Sequence, residues 1–388
     1  MRNLGRESER CSVDRMRIAI LTFHRAYNCG AMLQAWALKT VLERMGHTVE
    51  FPACNEVGYN PPRLMCLNIP AEKKGLQWIR SLIGRIWLDI LGHRAGEKRG
   101  RAYDSFRKEY LPERNCAPSE FPRYYDLVVI GSDQVFSIRH VAEWRSLFYG
   151  EAIPSGLQKI AYAGSIGDVP KSGDDLATFK YDLESFFSVS FREPFEDYPV
   201  VADPTLLLSA TDYSLLRKRR SVISQRPYVY LYSIYTTDFE VDSAREIAHR
   251  LNCELVISPA YPNERTKGLP ETAQRLSPEI MVQYIRDAKY VLAGSFHGTA
   301  LALIHRKPFL TLRNTIQEPM SRPEPLLARL NILERRVDPS VPIEEMIVRL
   351  TTEVPRKAYN ELEKFSKMSL EWLSGAVGSI AEKMNGCE

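Results

Sequence analysis

RIAILTF at Arg17–Phe23, HRAYNCG at His24–Gly30, AMLQAWALKTVLERM at Ala31–Met45 and TVEF at Thr48–Phe51 decide the fold. The first run is apolar without alternation, the mark of a strand buried on both faces. A loop follows. Ala31–Met45 then places its apolar residues at helical spacing, and Gly46 ends the helix. Thr48–Phe51 reads as a second short strand. Strand, loop, helix and parallel strand make half of a Rossmann unit.

The same alternation continues along the chain. Asp126–Gly131, Lys159–Ala163, Ser188–Phe191 and Pro199–Ala202 read as strands, and Asp174–Phe187 as a helix. After a basic stretch (RKRRS, 217–221) the pattern starts again. Strands are predicted at Tyr228–Ser233, Glu254–Ser258, Lys289–Ala293 and Phe309–Leu312. Helices are predicted at Phe239–Leu251, Pro278–Ala288 and Thr299–His305. A chain of 388 residues is too long for one ordinary core. The expectation is α/β, with two Rossmann-like domains facing a cleft. Residues 1–15 read as a disordered leader, with Met16 an alternative start. The first domain covers 16–208 with a helical insertion at 72–110, and the second covers 209–342. Helices at 343–388 would pack back on the first domain.

Composition narrows the function. Lys plus Arg is 52 and Asp plus Glu is 48, a net charge of +4. That surplus is too small for a surface devoted to nucleic acid. No apolar run reaches the roughly 18 residues of a membrane span. The charged N-terminus lacks the apolar core of a secretory signal. Seven dispersed cysteines show no CxxC spacing, which fits reduced thiols in a cytoplasmic protein. No histidine and carboxylate cluster has metal-ligand spacing. The surplus charge is uneven, with ten Lys/Arg against four Asp/Glu between Glu72 and Lys108. Leu76, Ile79, Ile83, Ile86, Trp87 and Ile90 form an apolar stripe there. Such a segment either packs on its own domain or lies on an anionic membrane surface.

Ligands of open α/β sheets bind beyond the carboxyl ends of the strands. Gly294-Ser295-Phe296-His297-Gly298 is the most pointed of these ends. Gly294 and Gly298 permit a tight turn, and the next helix offers free N–H groups and its positive dipole end. His297 there suits proton transfer or phosphate contact, although a lone histidine often only caps a core helix. Arg192 closes an apolar strand. It would hold an anionic ligand, or else pair with Glu193 or Asp203. Ser132 and Gln134 of Gly131-Ser132-Asp133-Gln134 face either a ligand or a helix start. Gly164-Ser165 ends another strand, and Asn28-Cys29-Gly30 precedes a helix as a second anion site. Asp203-Pro204 reads as a structural turn. No GxGxxG, Walker A, GxSxG or HExxH pattern occurs.

Taken in chain order, these pieces resemble the polysaccharide pyruvyl transferase family. They are Asn28-Cys29-Gly30-Ala31 with Leu33-Gln34-Ala35-Trp36-Ala37-Leu38, Gly131-Ser132-Asp133-Gln134-Val135, Ala161-Tyr162-Ala163-Gly164-Ser165, Ser190-Phe191-Arg192-Glu193, Asp203-Pro204-Thr205 and Ser295-Phe296-His297-Gly298-Thr299. Phe136 stands where the family usually has Trp, and Cys29 where it often has Tyr. The resemblance spans residues 17–312. It implies a glycosyltransferase-B-like fold and transfer of a pyruvyl group from phosphoenolpyruvate to a sugar, as a cyclic ketal. The acceptor would be a surface polysaccharide or its lipid-linked precursor, placing the enzyme in the cytoplasm or peripherally at the inner membrane face. His297 becomes the general acid/base or phosphate partner and Arg192 the anion clamp. Asn28, Gly30, Ser132, Gln134, Gly164, Ser165, Ser295 and Gly298 become substrate contacts. Neither metal nor redox cofactor is implied. Two other readings remain: a nucleotide-sugar glycosyltransferase, which would need an acidic ribose-binding residue in the second domain, and a non-catalytic glycan-binding protein of this fold.

Overall fold

A computed structural model describes residues 15–53, 100–137, 145–167, 174–216, 226–234, 236–260, 276–313 and 323–386. The leader, most of the basic insertion, the RKRRS stretch and the loop around 261–275 lie outside the described residues. Six parallel strands form the first sheet: β1 (Arg17–Leu21), β2 (Thr48–Pro52), β3 (Glu113–Arg114), β4 (Leu127–Ile130), β5 (Gln158–Gly164) and β6 (Ser188–Phe191), in the order β3-β2-β1-β4-β5-β6. Ile18 sits opposite Val49 on one side and Leu127 on the other. Every residue of β4 is buried, which is why these strands read as unbroken apolar runs. Strand order reverses between β1 and β4, and a crevice opens there. The two-residue β3 was not predicted, because it is too short to carry a pattern. It follows a helix over 100–110 (α2).

Among helices of eight or more residues, α1 (Cys29–Arg44) starts two residues before the expected Ala31. Asn28 is its N-cap, its side chain accepting the backbone N–H groups of Gly30 and Ala31 at 2.9 and 3.3 Å. Gly46 adopts φ +100° just past its end, where a side chain would be strained. Helix α3 (Asp174–Leu183) stops four residues short of the expected Phe187.

The second sheet is also parallel, in the order β11-β10-β9-β7-β8. Its strands are β7 (Tyr228–Ser233), β8 (Glu254–Pro259), β9 (Tyr290–Gly294), β10 (Phe309–Leu312) and β11 (Arg336–Val337). Helices α4 (Asp238–Arg250), α5 (Pro278–Asp287) and α6 (Phe296–Ile304) connect them. The order switch falls between β7 and β9. The architecture is two Rossmann-like α/β domains. The tail carries α7 (Ile343–Thr351) and the long α8 (Arg356–Asn385).

Apolar burial explains how the halves are held. One cluster covers an outer face of the first sheet (Phe136, Phe148, Phe179, Phe191) and another that of the second (Leu231, Ile247, Leu292, Leu350). The third is shared: Ile20 and Leu33 join Met281, Phe296, Leu301, Phe365 and Leu373 in one continuous core. Helix α1 is therefore apolar nearly all round, since it packs on its own sheet and on α5 of the other domain. Helix α8 lies along this seam. Ser369 accepts the Ala202 N–H at 2.8 Å, Ser366 donates to the Leu206 carbonyl at 2.8 Å, and Trp372 lies 6.0 Å from Tyr162. Among the described residues, no helix is long and apolar enough to cross a membrane.

Candidate active site

Strand β9 ends at Gly294, and Ser295 caps α6 by accepting the Gly298 N–H at 3.1 Å. His297 is thus the second residue of a helix and is buried, with 7% exposure. A Cβ at Gly298 would lie 3.1 Å from that of Ala293, so the turn has little room for a side chain. From the other domain Gly30, second residue of α1, meets it directly. A Cβ at Gly30 would stand 2.1 Å from His297 Nδ1. The amino ends of α1 and α6 therefore converge on one point. Two positive dipole ends together repel each other unless an anion lies between them.

Beside them stands a buried charge cluster. Asp203, fully buried, accepts the Thr205 N–H and hydroxyl on Oδ1 at 3.0 and 2.7 Å. Its Oδ2 accepts the Ser132 hydroxyl at 3.0 Å and Arg192 Nη1 at 2.9 Å, with His297 Nε2 3.7 Å away. Burial alone would raise the Asp203 carboxyl. The adjacent His297 ring, the Arg192 charge and Thr205 outweigh it and hold the group well below the usual carboxylate range. Burial likewise opposes the Arg192 charge, and Asp203, Glu193 and Asp133 more than offset it. The Arg192 guanidinium lies 4.4 Å from the centre of the Phe296 ring. Its Nε and Nη2 are buried without a hydrogen-bond partner among the described residues. A cavity of about 610 Å³ opens beside Arg192, Asp203 and Phe296 and is lined also by Glu361 and Phe365 of α8.

Several of the expected contact residues make hydrogen bonds within the protein. Ser132 is fully buried, its hydroxyl turned to the Ala163 carbonyl and Asp203 rather than outward. Ser165 donates to Glu193 at 2.7 Å, and Ser295 and Asn28 spend their oxygens on helix caps. The Gly164 carbonyl accepts the Arg192 N–H at 3.1 Å, and a Cβ there would meet the Phe136 ring at 2.5 Å. Gln134 and Asn28 of this group are half-buried, the Gln134 amide lying beside Gly167. Polar groups at crowded strand ends must find partners, so they pair with one another. The backbone here is strained: Asp133 and Ala163 take φ of +72° and +49°, and a Cβ at Gly131 (φ +116°) would lie 2.3 Å from the Tyr162 carbonyl oxygen.

Sequence reasoning treated Asp203 as a turn and missed its central place; the signal was a carboxylate next to an apolar run on a chain with a nearby strand-end arginine. Gln34, one of the residues that carry the resemblance, donates to Thr22 at 2.8 Å and accepts the Ser132 N–H at 3.2 Å, tying β1 to β4. Arg192 pairs with Asp203, as the ion-pair alternative allowed. Cys29 lies buried 3.0 Å from the Tyr103 hydroxyl of α2. An acidic residue of the second domain does lie at the carboxyl ends of β7 and β9. Glu240 is fully buried, accepts the Thr237 N–H at 2.8 Å, and turns its other oxygen toward Gly294 and Ser233. Among the described residues, no group of three His, Cys, Asp or Glu side chains is placed to hold a metal ion.

The family model of polysaccharide pyruvyl transferases matches residues 28–315. The chain belongs to the polysaccharide pyruvyl transferase family. It is a transferase by that membership, and Gly30, Ser132, Arg192, Asp203 and His297 all fall within the matched range. A search of curated proteins finds no match. Among solved structures, a protein described as a UDP-N-acetylglucosamine 2-epimerase from Listeria monocytogenes is 11% identical with a TM-score of 0.50, covering 95% of this chain and 96% of its own. The UDP-GlcNAc 2-epimerase of Methanocaldococcus jannaschii is 12% identical at 0.47, covering 91% and 98%. The glycosyltransferase SnogD from Streptomyces nogalater is 11% identical at 0.44, covering 93% and 100%. At 11% identity, the first of these speaks to the fold alone.

Proposed function

We propose that this transferase moves the pyruvyl group of phosphoenolpyruvate onto two hydroxyls of a sugar in a surface polysaccharide or its lipid-linked precursor. The observation that carries the reading is the meeting of the α1 and α6 amino ends at Gly30 and His297, beside the Arg192 guanidinium, whose Nη2 makes no hydrogen bond among the described residues. A donor bearing both phosphate and carboxylate needs such a concentration of positive potential. His297 supplies the proton that the donor methylene gains. The first sugar hydroxyl then adds to the cationic centre and loses its proton. Phosphate departs with its C–O bond electrons, and the second hydroxyl closes the ketal. Electrons balance within the donor and acceptor, so the reading calls for no redox cofactor. A lipid-linked acceptor would draw the enzyme to the inner membrane face, with the basic 72–110 segment as the contact and the cytoplasm as the compartment.

The test is incubation with phosphoenolpyruvate and candidate glycans, following phosphate release and product mass. A sugar that gains a pyruvate ketal is the expected result. Turnover of a nucleotide sugar with phosphoenolpyruvate inert would sink the reading. His297→Ala should abolish turnover while leaving the fold intact, and full activity in that variant would remove His297 from the mechanism.

A further inference from the structure

We infer that Asp203 is the positioning residue of this site, setting the tautomer of His297 and the aim of Arg192 through a single oxygen. Asp203 is fully buried and bonded on both oxygens. Thr205 occupies Oδ1 with its N–H and hydroxyl, which fixes the carboxylate plane. Oδ2 is left to face Ser132, Arg192 and His297 together. Arg192 comes from the first domain and His297 from the second, so this oxygen links the two across their seam.

The geometry constrains the imidazole. A neutral ring has one N–H and one lone pair. A lone pair directed at an ionised carboxylate 3.7 Å away is repelled, whereas an N–H is attracted. Nε2 therefore carries the hydrogen, and Nδ1, packed over Gly30, exchanges protons where the two helix ends meet. Arg192 is constrained in the same way. With Nη1 held by Asp203, Nε 3.8 Å from Glu193 Oε2 and the ring of Phe296 beneath it, the guanidinium plane is fixed, leaving Nη2 for a ligand. The inference rests on the transfer reading only for its kinetic consequences; the tautomer is a property of the free protein.

The test is ¹⁵N NMR of histidine-labelled protein at alkaline pH, with His297 assigned by its loss in His297→Ala. An Nε2–H signature in the wild type that is lost in Asp203→Asn is expected. An Nδ1–H ring in the wild type, or an unchanged signature in a folded Asp203→Asn, overturns the proposal. If Asp203→Asn does not fold, Thr205→Val releases Oδ1 while keeping the charge, and should broaden the tautomer preference. An unchanged preference there counts against the proposal. In kinetics, Asp203→Asn should lower kcat by about 100-fold or more. A change confined to the melting temperature would mark Asp203 as merely structural. Phosphoenolpyruvate proving inert while the tautomer behaves as expected would sink the transfer reading and leave this one standing.

Discussion

Gly30 shows how much one absent side chain decides. Its hydrogen faces the His297 ring across the domain seam, and the ring nitrogen occupies the space a methyl group would need. Gly30→Ala should therefore push His297 off its position. Overpacking of this kind costs about 1–3 kcal/mol, and a displacement near 1 Å at a reacting group costs about 100-fold in rate. The expected outcome is a kcat loss of that order with a modest drop in melting temperature. A variant with unchanged kcat would show that Nδ1 is not where chemistry occurs. Arg192 makes the converse point. Arg192→Ala would strand the Asp203 carboxylate, and breaking a buried pair from one side costs about 3–5 kcal/mol. Its activity loss should therefore come with a stability loss, separable by denaturant melts.

At the level of elements, the loop after β1 is anchored by β3. Glu113 accepts Arg25 Nε and Nη2 at 2.9 and 3.0 Å, and lies 3.1 Å from His24 Nε2. Burial acts to raise its carboxyl, but the bonds from His24 and Arg25 prevail and hold it at about 2. Because the folded value lies below the ordinary 4.5, the unfolded chain binds the extra proton. The contribution is full above about 4.5 and is lost as pH falls toward 2. Melting temperature should decline over that window. Glu113→Gln should lower it at neutral pH, by about 1–3 kcal/mol for lost charged hydrogen bonds, and flatten the acid slope. An acid profile identical to wild type would mean the anchor contributes nothing to stability.

For the molecule as a whole, stability and site geometry share the same apolar seam. The core that joins the sheets continues into α8, where Leu373 and Ile380 are fully buried. Leu373→Ala should cost about 2–5 kcal/mol, and the loss should appear as one cooperative transition rather than two. Two separated transitions with only one shifted would show that the domains unfold independently. The neutralised interior charges fit this picture: Asp203 and Arg192 are held where both domains and the tail enclose them.

Local pattern alone determined the alternating strands and helices, the doubled Rossmann plan and the strand ends where polar residues collect. These follow from short-range spacing of apolar residues, which the chain carries without reference to its partners. His297 and Arg192 stood out for the same reason, as polar groups beside buried strands. The role of Asp203, the inward turn of Ser132 and the contact of Gly30 with His297 were decided only by tertiary structure. They depend on residues 71, 11 and more than 200 positions apart meeting in space. A polar side chain's partner is set by which strand ends the fold brings together, and no local spacing encodes that.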